Sequence, residues 1–333
     1  MIICGLLSFG QDPQFSQYYA SPLYLNPAFA GTTNQHRLVL NHRLQWPTLP
    51  QTFATYALSY DFYKPDLRSG FGLLMTTDKA GSAGLRSTTV GAIYSYKIAM
   101  PNKWVFTPGL YFGYGSRSIN FNELVFGDQI EFDQNGVPSQ DPALNQLSNT
   151  SYFDTGFGLL FYNRNLWIGG SWWHINRPSI SFLDQEDRIP SKYTIHAGAK
   201  LELYSGPGRR AKTSYLTPSF VYRLQGQSSQ LDIGLNYHVD PVLVGLWYRG
   251  IPIAQDAAGN TSHDALVFII GLQFANFEFG YSYDFTISEL GVNSGGAHEI
   301  SIVYRFDVIG NPYKVKKKDK LIPCPSFIPK TET

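Results

Sequence analysis

The sequence predicts an all-β fold: a transmembrane outer-membrane β-barrel of about 14 antiparallel strands with an N-terminal periplasmic or plug segment. Three observations predict it. Charged residues are only 15% of the 333-residue chain, against about 25% in ordinary soluble domains, while aromatic residues supply another 15%. No apolar run reaches the roughly 18 residues that a spanning helix needs, since Met1–Gly10 and Ala265–Phe277 both fall short. Apolar and polar residues instead alternate with a period of two, as in a closed sheet with lipid on one face and a wetter lumen on the other. The net charge of +1 gives no footprint for nucleic acid.

Residues 1–10 read as the apolar part of a secretory signal, although the first cation is Arg37. Cys4 lacks the small-residue context of lipoprotein processing. Residues 11–36 are too polar and too interrupted for a strand, because Pro13, Pro22 and Pro27 remove ladder donors. They nevertheless hold Phe15, Tyr18, Tyr19, Leu23, Tyr24, Leu25 and Phe29, too much apolar surface for a free linker. The segment is expected to pack at the barrel's periplasmic mouth or inside the lumen. Residues 37–306 form the barrel and residues 307–333 a basic periplasmic tail.

Fourteen alternating segments follow Arg37, near residues 37–45, 52–63, 69–78, 87–98, 103–117, 151–163, 165–175, 192–204, 213–224, 229–239, 242–250, 264–275, 276–287 and 297–306. The clearest sets Phe277, Phe279, Tyr281, Tyr283 and Phe285 against Glu278, Gly280, Ser282, Asp284 and Thr286. With both termini in the periplasm, the turns Lys64–Arg68, Pro101–Asn102, Arg164, Asp240–Pro241 and Ala275–Asn276 share one end. The longer connections Asp78–Leu85, Ser118–Thr150, Asn176–Ser191, Ile251–Ser262 and Ser288–Gly296 share the other. That asymmetry is characteristic of outer-membrane barrels. Trp46–Gln51, Gln225–Ser228 and Ser205–Lys212 depart from it.

Aromatic rings are expected at the two interfaces: Tyr60, Phe62, Tyr94, Tyr96, Tyr304 and Phe306 at the periplasmic edge, and Trp46, Trp172, Trp173 and Trp247 at the outer edge. Strand parity sends Arg43, Asp61, Asp232, Glu278, Asp284, Glu299 and Arg305 into the lumen as structural pairs. His42, His196 and His238 are assigned inward as well. Val242–Leu246 and Ala265–Ile270 are apolar on both faces, which implies either a filled lumen or a lateral partner and disfavours a wide aqueous pore.

Motifs for chemistry are missing: there is no GxSxG, GxxxxGK[ST], HExxH or paired CxxC. His298, Glu299 and Ser301 could be drawn as a hydrolase triad, but Ser and Glu on a lumen face are ordinary hydrogen-bond filler. Asp133–Gly136 resembles part of a calcium loop without its bidentate Glu, so it reads as a turn. Once a signal is removed, Cys324 has no cysteine partner. No catalytic, cofactor or metal residues are assigned, and the reading is non-enzymatic.

The segments DPQFSQYYASPLYLNPAFAGT (Asp12–Thr32), HRLVLNHRLQWP (His36–Pro47), SYDFY (Ser59–Tyr63) and GFGLLMTTDKAG (Gly70–Gly81) share one further property. Together with YNRNLWIGGSWWHINRP (Tyr162–Pro178), YTIHAGAKL (Tyr193–Leu201), GGAHEISIVYRF (Gly295–Phe306) and the Lys-rich tail with its IPCP, they resemble, in order and spacing, the PorP/SprF family of Bacteroidetes outer-membrane proteins. The resemblance covers nearly the whole chain. It implies a part in, or beside, the type IX secretion and gliding machinery. Some members contact the periplasmic lipoprotein ring, and others serve a giant exported surface protein as export or anchoring partner. The family supplies no catalytic motif.

The expected function is to bind or anchor an exported, adhesin-like surface protein and to contact periplasmic or lipoprotein components, with outer-membrane lipid around the barrel. Candidate partner-binding residues are Phe15, Tyr18, Tyr19 and Asn26 in the N-terminal segment and Lys314, Lys316, Lys317, Lys318 and Lys320 in the tail. The loops Ser118–Thr150 and Asn176–Ser191 are expected to meet the exported protein. The alternative is an outer-membrane channel for hydrophobic small molecules with Asp12–Thr32 as its hatch.

Overall fold

Alternation along the chain becomes a cylinder in the computed structural model, which describes residues 11–33, 35–49, 52–81, 84–119, 149–182, 187–205, 213–255, 261–288, 291 and 294–307. Its strands are β1 (His36–Gln45), β2 (Phe53–Lys64), β3 (Ser69–Ala80), β4 (Leu85–Tyr96), β5 (Val105–Ser118), β6 (Thr150–Tyr162) and β7 (Leu166–Trp173). Next come β8 (Lys192–Ala199), continued past Lys200 by Leu201–Ser205, then β9 (Thr213–Gln225), β10 (Ser228–Val239) and β11 (Val242–Gln255). The last are β12 (Thr261–Phe274), β13 (Phe277–Thr286) and β14 (Ala297–Phe306). Each pairs antiparallel with its neighbour. β14 returns to β1, with Val39 opposite Val303, and closes the barrel at 14 strands.

The expected segments match these strands closely, with one sizeable difference. β11 runs on to Gln255 and β12 starts at Thr261, so the expected loop Ile251–Ser262 is mostly strand. Parity decides which side chains face in. On β1, Arg37, Val39, Asn41 and Arg43 are buried, whereas Leu40 is exposed. His42 shares the outer face with Leu40 and stacks on Tyr56 at 4.5 Å, so its inward assignment is corrected. His196 and His238 do face the lumen and are buried.

The aromatic belt at the short-turn end is continuous over several strands. His36 stacks on Phe62 at 5.3 Å and on Phe306 at 5.4 Å; Phe62 meets Phe71 at 5.5 Å, and Tyr304 meets Phe277 at 4.5 Å. At the other end Trp172 is exposed beside Tyr193. Trp173 and Trp247, expected in that belt, are buried on the lumen side. Trp172 and Trp173 are consecutive in one strand, so they cannot share a face.

Residues 12–32 run along the inside of the cylinder. Pro22 begins the single helical turn Pro22–Leu25 and Pro27 begins the 3-10 turn Pro27–Phe29, the position where a missing N–H is tolerated. Asp12 contacts Lys192 at the start of β8 and Gln225 at the end of β9. Gly31 meets Asp61 near the end of β2. Asp12 therefore lies at the long-loop end and Gly31 at the short-turn end. The described chain begins at the long-loop mouth and leaves β14 at the opposite one, and both termini lie outside the described residues. Residues 1–10, Cys4, Asp133–Gly136 and the tail with Cys324 lie outside the described residues.

Candidate functional site

The lumen, with residues 12–32 inside it, is the candidate site. Its walls meet the segment at four levels. At the long-loop mouth the Asp12 carboxylate accepts from Lys192 Nζ (2.5 Å) and lies 2.8 Å from His174 Nε2. The other ring nitrogen of His174 lies 3.0 Å from Asp154. Burial alone would push the Asp12 carboxyl up, but Lys192 and His174 together hold it well below 3.8. Burial disfavours the charged His174 ring, yet Asp12 and Asp154 raise it to about 9. Acid and base thus keep each other charged.

One level down, the Glu299 carboxylate accepts from two successive backbone amides, Ser16 (2.6 Å) and Gln17 (3.0 Å). The Ser16 hydroxyl donates to Asp284 (2.8 Å) and accepts from Arg43 and Arg249 (2.8 Å each). Arg43 and Arg249 each reach Asp284 at 2.7 Å, and Arg249 and Arg223 pair with Asp232 at 2.9 and 2.7 Å. Three guanidinium groups here face three carboxylates. Such charges are tolerated away from water when each has an opposite partner and hydrogen bonds.

The third level centres on Asn26. Its amide nitrogen lies 3.0 Å from the carbonyls of Leu159 and Gly170 and 3.1 Å from His196 Nε2, and its oxygen accepts from Ala28 N–H (2.9 Å). At the fourth level Asp61 takes Gly31 N–H (2.8 Å) and the Arg37 guanidinium (2.8 Å). Ser95 donates to the Ala30 carbonyl (2.8 Å). Arg305 pairs with Glu278 nearby.

Apolar packing fills the space between these polar levels. Tyr18, Leu23, Leu25, Ala28 and Phe29 share one buried cluster with wall residues that include Trp173, Leu243, Trp247, Val267 and Ile269. This accounts for the two strands that are apolar on both faces: inner side chains of both belong to the cluster that holds the segment. The wall also gives way to it. A Cβ at Gly70 would overlap the Ala30 carbonyl, one at Gly109 the backbone of Ala28, one at Gly158 the Asn26 side chain, and one at Gly280 the Gln17 side chain.

Two cavities beside the segment measure about 30 and 40 Å³, room for a few waters. Above Asp12 and Gln14 a vestibule of about 990 Å³ opens at the long-loop end, with Trp46, Phe53, Asp78 and Tyr152 on its walls.

All seven expected lumen charges are buried. Arg37, Arg249, Lys192 and Asp154 join them, with Arg223 half-buried, and were readable from the same parity. Ser16, Gln17, His174 and the glycine seats were not, because only the three-dimensional path of the segment brings them into contact. Of the candidate partner-binding residues, Phe15, Tyr18 and Asn26 are buried. Phe15 packs edge-on to Tyr24, and Tyr18 to Trp247. Tyr19 bonds Gln17 at 3.1 Å. All four touch the chain itself. Lys314, Lys316, Lys317, Lys318 and Lys320 lie outside the described residues.

The chain resembles several solved barrels at low identity. The toluene transporter TodX of P. putida is 11% identical over 87% of this chain and 94% of its own, with a TM-score of 0.47. The CymD monoaromatic hydrocarbon channel is 11% identical over 87% and 93%, with a TM-score of 0.44. A mutant porin of Rh. blastica is 9% identical over 81% and 99%, with a TM-score of 0.33. No curated protein matches. The family described as type IX secretion system membrane protein PorP/SprF matches residues 7–304, nearly the whole barrel together with its inner segment. The chain belongs to the PorP/SprF family of type IX secretion system membrane proteins.

Proposed function

We propose that this protein is a non-conducting barrel of the bacterial outer membrane that works by holding other proteins. The observation that carries this reading is the occupied lumen. Four polar levels and an apolar cluster fix residues 12–32 along its length, and the wall keeps glycines where the segment comes closest. A channel that must pass solutes has no use for such a fit. The segment serves as a plug and the barrel as a rigid platform.

In this reading the long loops face outward, and the vestibule with its flanking loops receives an exported, adhesin-like surface protein. The short turns and the basic tail face the periplasm and meet lipoprotein or other periplasmic components of type IX secretion. Residues 1–10 are a signal, residues 11–36 the plug segment, residues 37–306 the barrel and residues 307–333 the tail. No step of this role needs catalysis or a cofactor.

Deleting the protein from its host tests the reading. Surface proteins handled by type IX secretion should leave the cell envelope for the medium or fail to appear, and a variant carrying Trp46→Ala and Tyr152→Ala should reproduce the defect at normal barrel levels. Unchanged surface display in both strains would overturn the proposal.

A further inference from the structure

β8 is broken, and the break leaves an open sheet edge. β7 begins at Leu166, opposite Ala199. Lys200 donates its backbone N–H to the Asn165 carbonyl (2.7 Å), in the turn between β6 and β7. Beyond that bond, Leu201–Ser205 pairs on one side only, with Leu216, Tyr215, Ser214 and Thr213 of β9, and its register slips between Glu202 and Tyr204. Among the described residues no strand pairs its other side. The segment thus runs past the turn that ends the neighbouring strand pair and presents alternate N–H and C=O groups along a free edge.

Its side chains are equally uncovered. Leu201 is 48% exposed, and Leu203 and Tyr204 are each 59% exposed. Exposed apolar positions are ordinary on the lipid face, but an open backbone edge is not, because hydrocarbon offers no partner for peptide groups. Free edges in water are usually guarded by charge, proline or shortness. Here one carboxylate, Glu202, stands among three large apolar side chains.

We propose that Leu201–Ser205 is a docking edge that takes an extended segment of a partner protein as an added β-strand. The ladder selects an extended backbone, and the alternating side chains set what the added strand must carry. The exposed Leu201 and Leu203 ask for aliphatic neighbours. The exposed Arg164 beside the edge favours an acidic residue at the strand end nearest it. The edge stands at the short-turn mouth, far from the vestibule, so it serves a partner other than the one proposed for the long loops. The inference holds whichever side of the membrane the short turns face.

A photo-crosslinking amino acid placed at Leu201, Leu203 and Tyr204 of the full-length protein in its host tests this, with the exposed Leu235 on β10, which does not pair with the edge, as control. Folding of each variant is checked by its heat-dependent gel shift. Strand addition predicts adducts from Leu201, Leu203 and Tyr204 within one short stretch of a single partner peptide, moving along it in step with the probe position. It also predicts loss of those adducts when Leu203→Pro is combined with the probe at Leu201, and none from Leu235. Adducts only to lipid, to this chain's own tail or to a second copy would overturn it, as would protein adducts scattered over the partner instead of gathered in one short stretch.

Discussion

Asn26 ties three strands to the inner segment through one side chain. Its amide faces carbonyls of β6 and β7 and the His196 ring of β8. Asn26→Leu keeps the volume and strands those acceptors, and a buried group left unsatisfied costs about 1–3 kcal/mol. The variant should unfold earlier in detergent by that amount, measured by denaturant titration of tryptophan fluorescence. Gly158→Val presses on the same side chain, and an overpacked core loses about 1–3 kcal/mol. If the segment were loosely held, this substitution would be neutral. The Asp12–His174 contact predicts a stability profile. Asp12 titrates below its ordinary 3.8, so its contribution is present above that value and is lost as pH falls through the folded one. His174 titrates at about 9 instead of 6.5, so its contribution is complete below 6.5 and fades as pH rises through 9. Thermal midpoints in detergent should decline on both flanks, and His174→Gln should remove the alkaline decline. An unchanged alkaline limb in that variant would remove His174 from the account.

At the scale of elements, the strands were legible, and so was a segment packed at the mouth or in the lumen, but the path of that segment was not. A period of two survives in sequence because each wall position meets either lipid or lumen, and this alone places all fourteen strands. Where parity was applied unevenly, the reading went astray: Trp172 and Trp173 were both put in one belt, and His42 was assigned inward together with its neighbour Arg43. The break at Lys200 leaves no periodic signature, since a slip of register is visible only against the partner strand. The segment's proline-broken course carries no period at all, and its path becomes visible only through contacts with wall residues more than a hundred positions away. Arg249 connects these elements, pairing β11 with Asp232 of β10 and Asp284 of β13. Arg249→Met leaves buried carboxylates short of a partner, and removing one side of such a pair costs about 3–5 kcal/mol. That loss should appear as a lower midpoint of unfolding, larger than for Arg117→Met, whose Asp187 partner is 3.9 Å away and more than half exposed.

For the whole molecule, the account rests on a barrel whose interior is occupied by its own chain. The two ends then take separate work: a vestibule with long connections at one mouth, and short turns with an open strand edge at the other. Conductance across a planar bilayer tests this most directly, comparing the full-length protein with a form lacking residues 12–30. The intact barrel should stay electrically silent while the deleted form shows stepwise, long-lived openings. Steady conductance by the intact protein, or silence in a correctly folded deletion, would contradict the claim that residues 12–32 seal the lumen.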